Sequence, residues 1–242
     1  MDRFVINPED WGTAPVLRGD EAHHCVRVMR KKEGDEIVVF DGAGREGVAR
    51  IVSASKSEVH LELLSSEQSK VPSPAIEIAV GVPKGKSFDF ILQKAVEMGV
   101  SKIQPLMSAQ GNVRFDDAEA ESKREKWQRT IVEACKQCGQ NHLPEVARPL
   151  DLTGYLGQLE EGNHRFVGAL LPEVKPFRDS LEALSQVDKI VLMIGPEGDF
   201  SPDEYEQILA AGFAGVSLGE LILRTETAVF WMVAAVRYQF QS

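Results

Sequence analysis

Residues 189–240 read KIVLMIGPEGDFSPDEYEQILAAGFAGVSLGELILRTETAVFWMVAAVRYQF. Lys189 to Ile194 is a short apolar run closed by Gly195, the pattern of a strand buried on both faces of a parallel sheet. The turn Gly195-Pro196-Glu197-Gly198 follows, and then a helix start. Ser201 is placed to cap, Pro202 occupies the first helical position and Glu204 falls three residues after the cap. A second short strand, Gly215 to Leu218, runs into Gly219, an irregular turn to Arg224 and another helix from Thr225. Two strand–glycine-turn–helix units in tandem are expected to set two loops side by side at the carboxyl edge of one sheet. Open α/β sheets bind ligands there.

Working outward, the chain has 242 residues, 43% hydrophobic and 26% charged, an ordinary globular composition with enough length for a sizeable core. Its longest apolar run, Ala228 to Val236, is too short to span a membrane, and MDRFVINPEDW has no apolar signal core, so no membrane partner and a cytoplasmic location are expected. Of the three cysteines, Cys135 and Cys138 have redox or zinc spacing, but no second pair accompanies them. They read as ordinary positions at the end of a long helix in a reducing compartment, and no metal is expected. A net charge of −10 excludes indiscriminate nucleic-acid binding; an RNA partner would need a local basic patch.

In chain order, residues 1–70 read as a small β-rich domain with strands Glu36 to Phe40, Glu46 to Ser55 and Val59 to Leu64. Before them, GDEAHHCVRVMRKK (Gly19 to Lys32) reads as a short helix and its exit, where Arg27, Arg30, Lys31 and Lys32 cluster as a local basic patch or a solvated turn. Ser65 to Pro74 reads as a linker. From 71 to 242 strands and helices alternate: strand Ile76 to Val82, helix Ser87 to Met98, strand Lys102 to Ser108, helix Ala118 to Cys138, helix Asp151 to Glu160, strand His164 to Leu170, helix Lys175 to Ser185. That alternation is α/β with a mainly parallel sheet. Gly81-Val82-Pro83-Lys84-Gly85-Lys86-Ser87 imitates a P-loop, yet it is one residue short, and Pro83 removes a donor the phosphate cradle needs.

Gly195-Pro196-Glu197-Gly198, Leu218-Gly219 and Ile222-Leu223-Arg224-Thr225-Glu226-Thr227-Ala228 together resemble the SPOUT superfamily of methyltransferases. More narrowly, they are similar to the bacterial family that methylates ring nitrogen 3 of one uridine in 16S ribosomal RNA. The resemblance implies a knotted, mainly parallel sheet preceded by a PUA-like β-barrel RNA-binding domain. It also implies S-adenosylmethionine held bent between the loops, a homodimer through the last helix, and 16S ribosomal RNA in the assembled small subunit as substrate. On that resemblance Arg27 and Arg30, with Lys84 and Lys86 of the false P-loop, become candidates for RNA phosphates. The chain departs from the pattern at Ser108-Ala109-Gln110-Gly111-Asn112 and Gly139-Gln140, where expected arginines are missing; Arg114 lies further on.

The resemblance also assigns the cofactor loops. Backbone of Gly195, Pro196, Glu197, Gly198, Leu218, Gly219 and Leu223 would hold the nucleoside, with Leu170 and Leu221 as apolar walls. Glu197 and Asp199 would repel a phosphate but suit a sulfonium and an ammonium. Methylating an imide nitrogen requires loss of its proton and stabilisation of charge on the pyrimidine carbonyls. Arg224 is the candidate cation, unless it only pairs with Glu220 or Glu226. Glu226 is a candidate base or a partner of the helix dipole. The alternatives are an idle RNA-binding or ribosome-assembly protein on the same scaffold, and a SPOUT enzyme acting on another RNA.

Overall fold

The computed structural model describes residues 1–12, 14–85, 87–109, 111, 113–185 and 187–240. The chain divides into two compact units. The first comprises Met1–Val71 together with Val132–Leu143. It contains β1 (Arg3–Val5), β2 (Val16–Arg18), α1 (Gly19–His23), β3 (Glu36–Phe40), β4 (Arg45–Ala54), β5 (Glu58–Leu63) and β6 (Glu67–Gln68). They form one six-stranded sheet in the order β1-β3-β4-β5-β2, with β6 against β4. Alternate residues Ile37 and Val39, Ala49 and Ile51, and Val59 and Leu61 fill its core with Phe4, Ile6 and Leu17, as a period of two dictates. β1, β2 and β6 have only two or three residues, too few to show that period in sequence. The expected linker therefore contains a strand: Glu67 and Gln68 pair with Glu46 and Arg45.

α1 runs on into a π-helical turn, His24–Val28, burying Ala22 and Cys25. Arg30 ends it in the left-handed region (φ 56°), and the Lys31 N–H returns to the Cys25 carbonyl at 3.0 Å. Lys136 is nearly buried, its ammonium 2.6 Å from Glu21 and 2.9 Å from Glu133, with His24 Nδ1 at 3.4 Å.

The second unit takes the chain from Pro72 onward, apart from that returning segment. It holds β7 (Ala75–Gly81), α2 (Ser87–Glu97), β8 (Lys102–Met107), α3 (Asp117–Cys138, whose last turns belong to the first unit), β9 (Glu145–Val146), β10 (Leu150–Asp151) and α4 (Leu152–Leu156). There follow β11 (His164–Gly168), β12 (Lys175–Pro176), α5 (Phe177–Glu182), β13 (Lys189–Ile194), α6 (Pro202–Ala210), β14 (Ala214–Ser217) and α7 (Thr225–Phe240). The eight strands pair in parallel in the order β10-β8-β7-β13-β11-β14-β12, with β9 beside β8. All of β13 after Lys189 is buried, which is why it reads as an unbroken apolar run. The capping box forms as its residues require: Ser201 Oγ accepts the Glu204 N–H at 3.2 Å, and the Glu204 carboxylate accepts the Ser201 N–H at 2.9 Å.

Two expectations change. The helix expected over 151–160 is only α4, capped by the Asp151 carboxylate accepting the Gly154 N–H at 2.7 Å. The helix expected from Lys175 begins at Phe177, because Lys175 and Pro176 pair with Val216 and Ser217. β13 and β14 are not neighbours; each pairs with β11, which separates them. The two glycine loops nevertheless lie side by side as expected, flanking the carboxyl end of β11.

α7 buries Thr225, Ala228, Val229, Met232, Val233 and Val236. Trp231 and Tyr238 stay exposed on its other side, at 40% and 90%. Its Arg237 guanidinium donates to the carbonyls of Pro74 (3.0 Å) and Met98 (3.1 Å), and burial holds its pKa below the usual arginine value. Cys135 is buried, its thiol pushed up to about 12 by desolvation, as an inert helix position should be. No described helix is long and apolar enough to cross a membrane.

Candidate functional site

A cavity of about 440 Å³ opens at the carboxyl ends of β11, β13 and β14, the size and placement of a small-molecule site in an open α/β sheet. Its walls are the loops after these strands: Gly168 to Leu171 with Val174, Ile194 to Asp199 without Gly198, and Ser217 to Thr225 without Glu220.

Backbone proximity explains why these loops hold their shape. A Cβ on Gly81, at the end of β7, would lie 2.5 Å from the Pro196 nitrogen, so the Gly195-Pro196 backbone rests directly on that strand. Thr225, buried at the start of α7, donates its hydroxyl to the Gly195 carbonyl at 3.1 Å and ties the second loop to the first. The Glu197 carboxylate accepts the Lys84 backbone N–H at 3.0 Å, pinning the loop after β7. Buried Glu204 also accepts the Ala109 N–H at 2.7 Å, so the capping carboxylate orders the loop after β8 as well. Arg114 in that loop donates to the carbonyls of Ser108 (2.7 Å) and Val113 (3.0 Å); its guanidinium is spent on the loop itself. Gly219 turns the chain at φ 121°, a conformation that side chains rarely adopt.

Leu170, Gly195, Pro196, Glu197, Leu218, Gly219, Leu221, Leu223 and Arg224 all line this one cavity. Leu170 reaches it because β11 lies between the two glycine strands. Gly198 and Glu226 are not in the lining. Gly198 is the exposed corner of a turn closed by the Asp199 N–H on the Pro196 carbonyl (2.9 Å), which puts Asp199 into the wall in its place. Glu226 is half-buried in the first turn of α7, where a carboxylate complements the helix dipole. Arg224 is exposed at the cavity and, among the described residues, makes no ion pair with Glu220 or Glu226. Asp199, expected with Glu197 to give the loop its acidic character, is also in the wall. Its Oδ1 accepts the Tyr205 hydroxyl and the Phe200 N–H, both at 2.8 Å, and the buried Tyr205 has its pKa raised by desolvation and then by Asp199.

Arg27 and Arg30 are exposed in the first unit. Of the basic cluster, Lys31 is neutralised by Asp2 at 2.7 Å, an ion pair that raises the lysine's pKa. Lys84 is exposed in the loop after β7, and Lys86 lies outside the described residues.

The family described as RNA methyltransferase domain matches residues 70–237, and that described as RNA methyltransferase PUA domain matches 17–64. Ribosomal RNA small subunit methyltransferase E of Bacillus subtilis is 31% identical, over 99% of this chain and 97% of its own. A putative methyltransferase of Legionella pneumophila, solved with the bound cofactor SAM, superposes with a TM-score of 0.88 at 29% identity, covering 98% of this chain and 96% of that one. Ribosomal RNA small subunit methyltransferase E from Neisseria gonorrhoeae, bound to S-adenosyl methionine, gives 0.86 at 30% identity, over 98% and 97%. The paired matches, in the order PUA domain and then methyltransferase domain, show that the chain belongs to the RNA methyltransferase family.

Proposed function

We propose that this protein transfers a methyl group from S-adenosylmethionine to ring nitrogen 3 of one uridine in 16S ribosomal RNA. One observation carries the reading: the cavity at the carboxyl edge of the sheet joins two carboxylates, Glu197 and Asp199, to an arginine, Arg224, that has no carboxylate partner among the described residues. The named relatives and the two cofactor-bound structures support it.

The cavity fits the cofactor. Its volume matches a ligand of that size, its acidic loop suits a cationic one, and Leu170 and Leu221 offer apolar surface for a nucleobase. S-adenosylmethionine, when bound, supplies an electrophilic methyl on its sulfonium. The residues of the chain do the rest. The loop backbones from Gly195 and Leu218 fix the ligand's position, and positioning alone lowers much of the barrier. The Arg224 guanidinium stabilises negative charge on a uridine carbonyl, lowering the pKa of the imide N3–H so that water can take its proton. Glu226, outside the lining, acts on the helix rather than on the substrate.

Arg27 and Arg30, with Lys84 and Lys86, would supply local phosphate contacts despite the net charge of −10. The exposed side of α7, with Trp231 and Tyr238, would meet a second copy. The trefoil-knotted path, the cytoplasmic location and the assembled small subunit as substrate belong to the same proposal. The test is mass mapping of 16S ribosomal RNA from cells with and without the gene. One uridine should lose a base methyl in the deleted strain and regain it when purified protein and S-adenosylmethionine are added to its small subunits. An unchanged 16S map would refute the reading.

A further inference from the structure

The cavity wall contains a charge that its architecture goes out of its way to keep. Asp199 lies in the left-handed region at φ 59°, which costs a non-glycine residue on the order of 1 kcal/mol. Three bonds hold it there: its own N–H to the Pro196 carbonyl, and Oδ1 receiving the Phe200 N–H and the Tyr205 hydroxyl. Tyr205 is buried and remains a donor at neutral pH, its pKa being raised. Oδ2 has no hydrogen bond among the described residues, and Asp199 is half-buried in the lining. The other wall carboxylate, Glu197, is exposed rather than half-buried and is held by a single bond, from the Lys84 N–H.

We propose that Asp199 is a specificity-determining residue that favours the sulfonium-bearing methyl donor over the neutral thioether product. The inference rests on the cofactor reading above and deepens it. The donor and its demethylated product share adenosine, carboxylate and ammonium; they differ by one methyl and one positive charge at sulfur. A fixed carboxylate in a partly desolvated wall attracts that charge and gains nothing from its absence. The product therefore leaves a site that still prefers fresh donor.

Calorimetry with S-adenosylmethionine and S-adenosylhomocysteine tests this on wild-type, Asp199→Asn and Asp199→Gly proteins. Asparagine keeps the left-handed backbone and the Oδ1 acceptor while removing the charge, and glycine relaxes the backbone altogether. In both variants donor affinity should fall roughly tenfold more than product affinity, the scale of one partly screened ion pair, and in Asp199→Asn, which keeps the Oδ1 acceptor, product affinity should be nearly unchanged. Equal losses for both compounds, or no loss for either, would overturn the inference while leaving the cofactor reading intact. Wild-type protein that binds neither compound would overturn both.

Discussion

A single methyl group at Gly81 tests whether the cavity's shape depends on backbone contact between β7 and the loop after β13. A Cβ there would sit 2.5 Å from the Pro196 nitrogen, 2.6 Å from its Cδ and 3.0 Å from the Gly195 carbonyl carbon. Ordinary contact begins near 3.4 Å, so the loop must retreat by about an ångström, and neither backbone nor a proline ring can rotate aside. Overpacking of this kind costs about 1–3 kcal/mol, which lowers the melting temperature of a chain this size by roughly 2–12 °C. Since that loop is a cavity wall, Gly81→Ala should also weaken S-adenosylmethionine binding and slow methylation by roughly a hundredfold, the effect of ångström-scale misplacement. Gly85→Ala is the control: Gly85 has φ 73° but nothing within 4 Å of its Cβ position, so it should cost stability alone. Scanning calorimetry and cofactor titration read both effects. Unchanged affinity in a folded Gly81→Ala protein would refute the claim that β7 sets the loop.

Three further outcomes follow from particular contacts. Arg27→Ala with Arg30→Ala should weaken small-subunit binding and reduce its salt slope by roughly two phosphates' worth, leaving cofactor affinity alone; an unchanged slope returns both arginines to a solvated turn. Trp231→Glu, on the exposed side of α7, should convert the proposed dimer to a folded monomer in sedimentation, whereas Val229→Asp, at 0% exposure, should unfold the chain instead. Burial opposes ionisation of Asp41, but hydrogen bonds from Arg45 and from the N–H groups of Ala43 and Arg45 outweigh it and hold the carboxyl below its ordinary value. A lowered folded pKa gives stability that is full above the unfolded value, about 3.9, and lost as pH falls through the folded one. Asp41→Asn should therefore flatten the acid limb of urea-unfolding stability, and an unaltered limb would show that other carboxylates carry it.

What could be read beforehand follows a physical divide. Signals carried by contiguous residues were legible: the apolar run of β13, the Ser201–Glu204 capping box and the glycine loops that now line one cavity. Information held in spatial neighbours was not. Gly81 looked like part of a false phosphate loop because nothing in its own segment shows that Pro196 lies against it. The charge of Asp199 beside the ligand was legible in the acidic loop, but its anchoring by Tyr205 six positions on and its left-handed backbone were not. α7 is apolar nearly all round, so its composition could not separate Val229, which faces the sheet, from Trp231, which does not. Residues 132–143 fold with the first unit across a gap in sequence that no local pattern spans.

Arg224 is expected to stabilise charge developing on the target base. Single-turnover methylation of undermethylated small subunits, at saturating subunit and S-adenosylmethionine, measures it most directly. Arg224→Ala should slow the step by roughly a hundredfold or more while both affinities change far less, because the interaction is made mainly in the transition state. Arg224→Lys should recover part of the rate by restoring charge without the planar fork. Raising pH should partly rescue the alanine protein, as hydroxide ionises the imide unaided. A normal single-turnover rate in Arg224→Ala, with loss confined to RNA binding, would contradict the account and make the residue a docking contact.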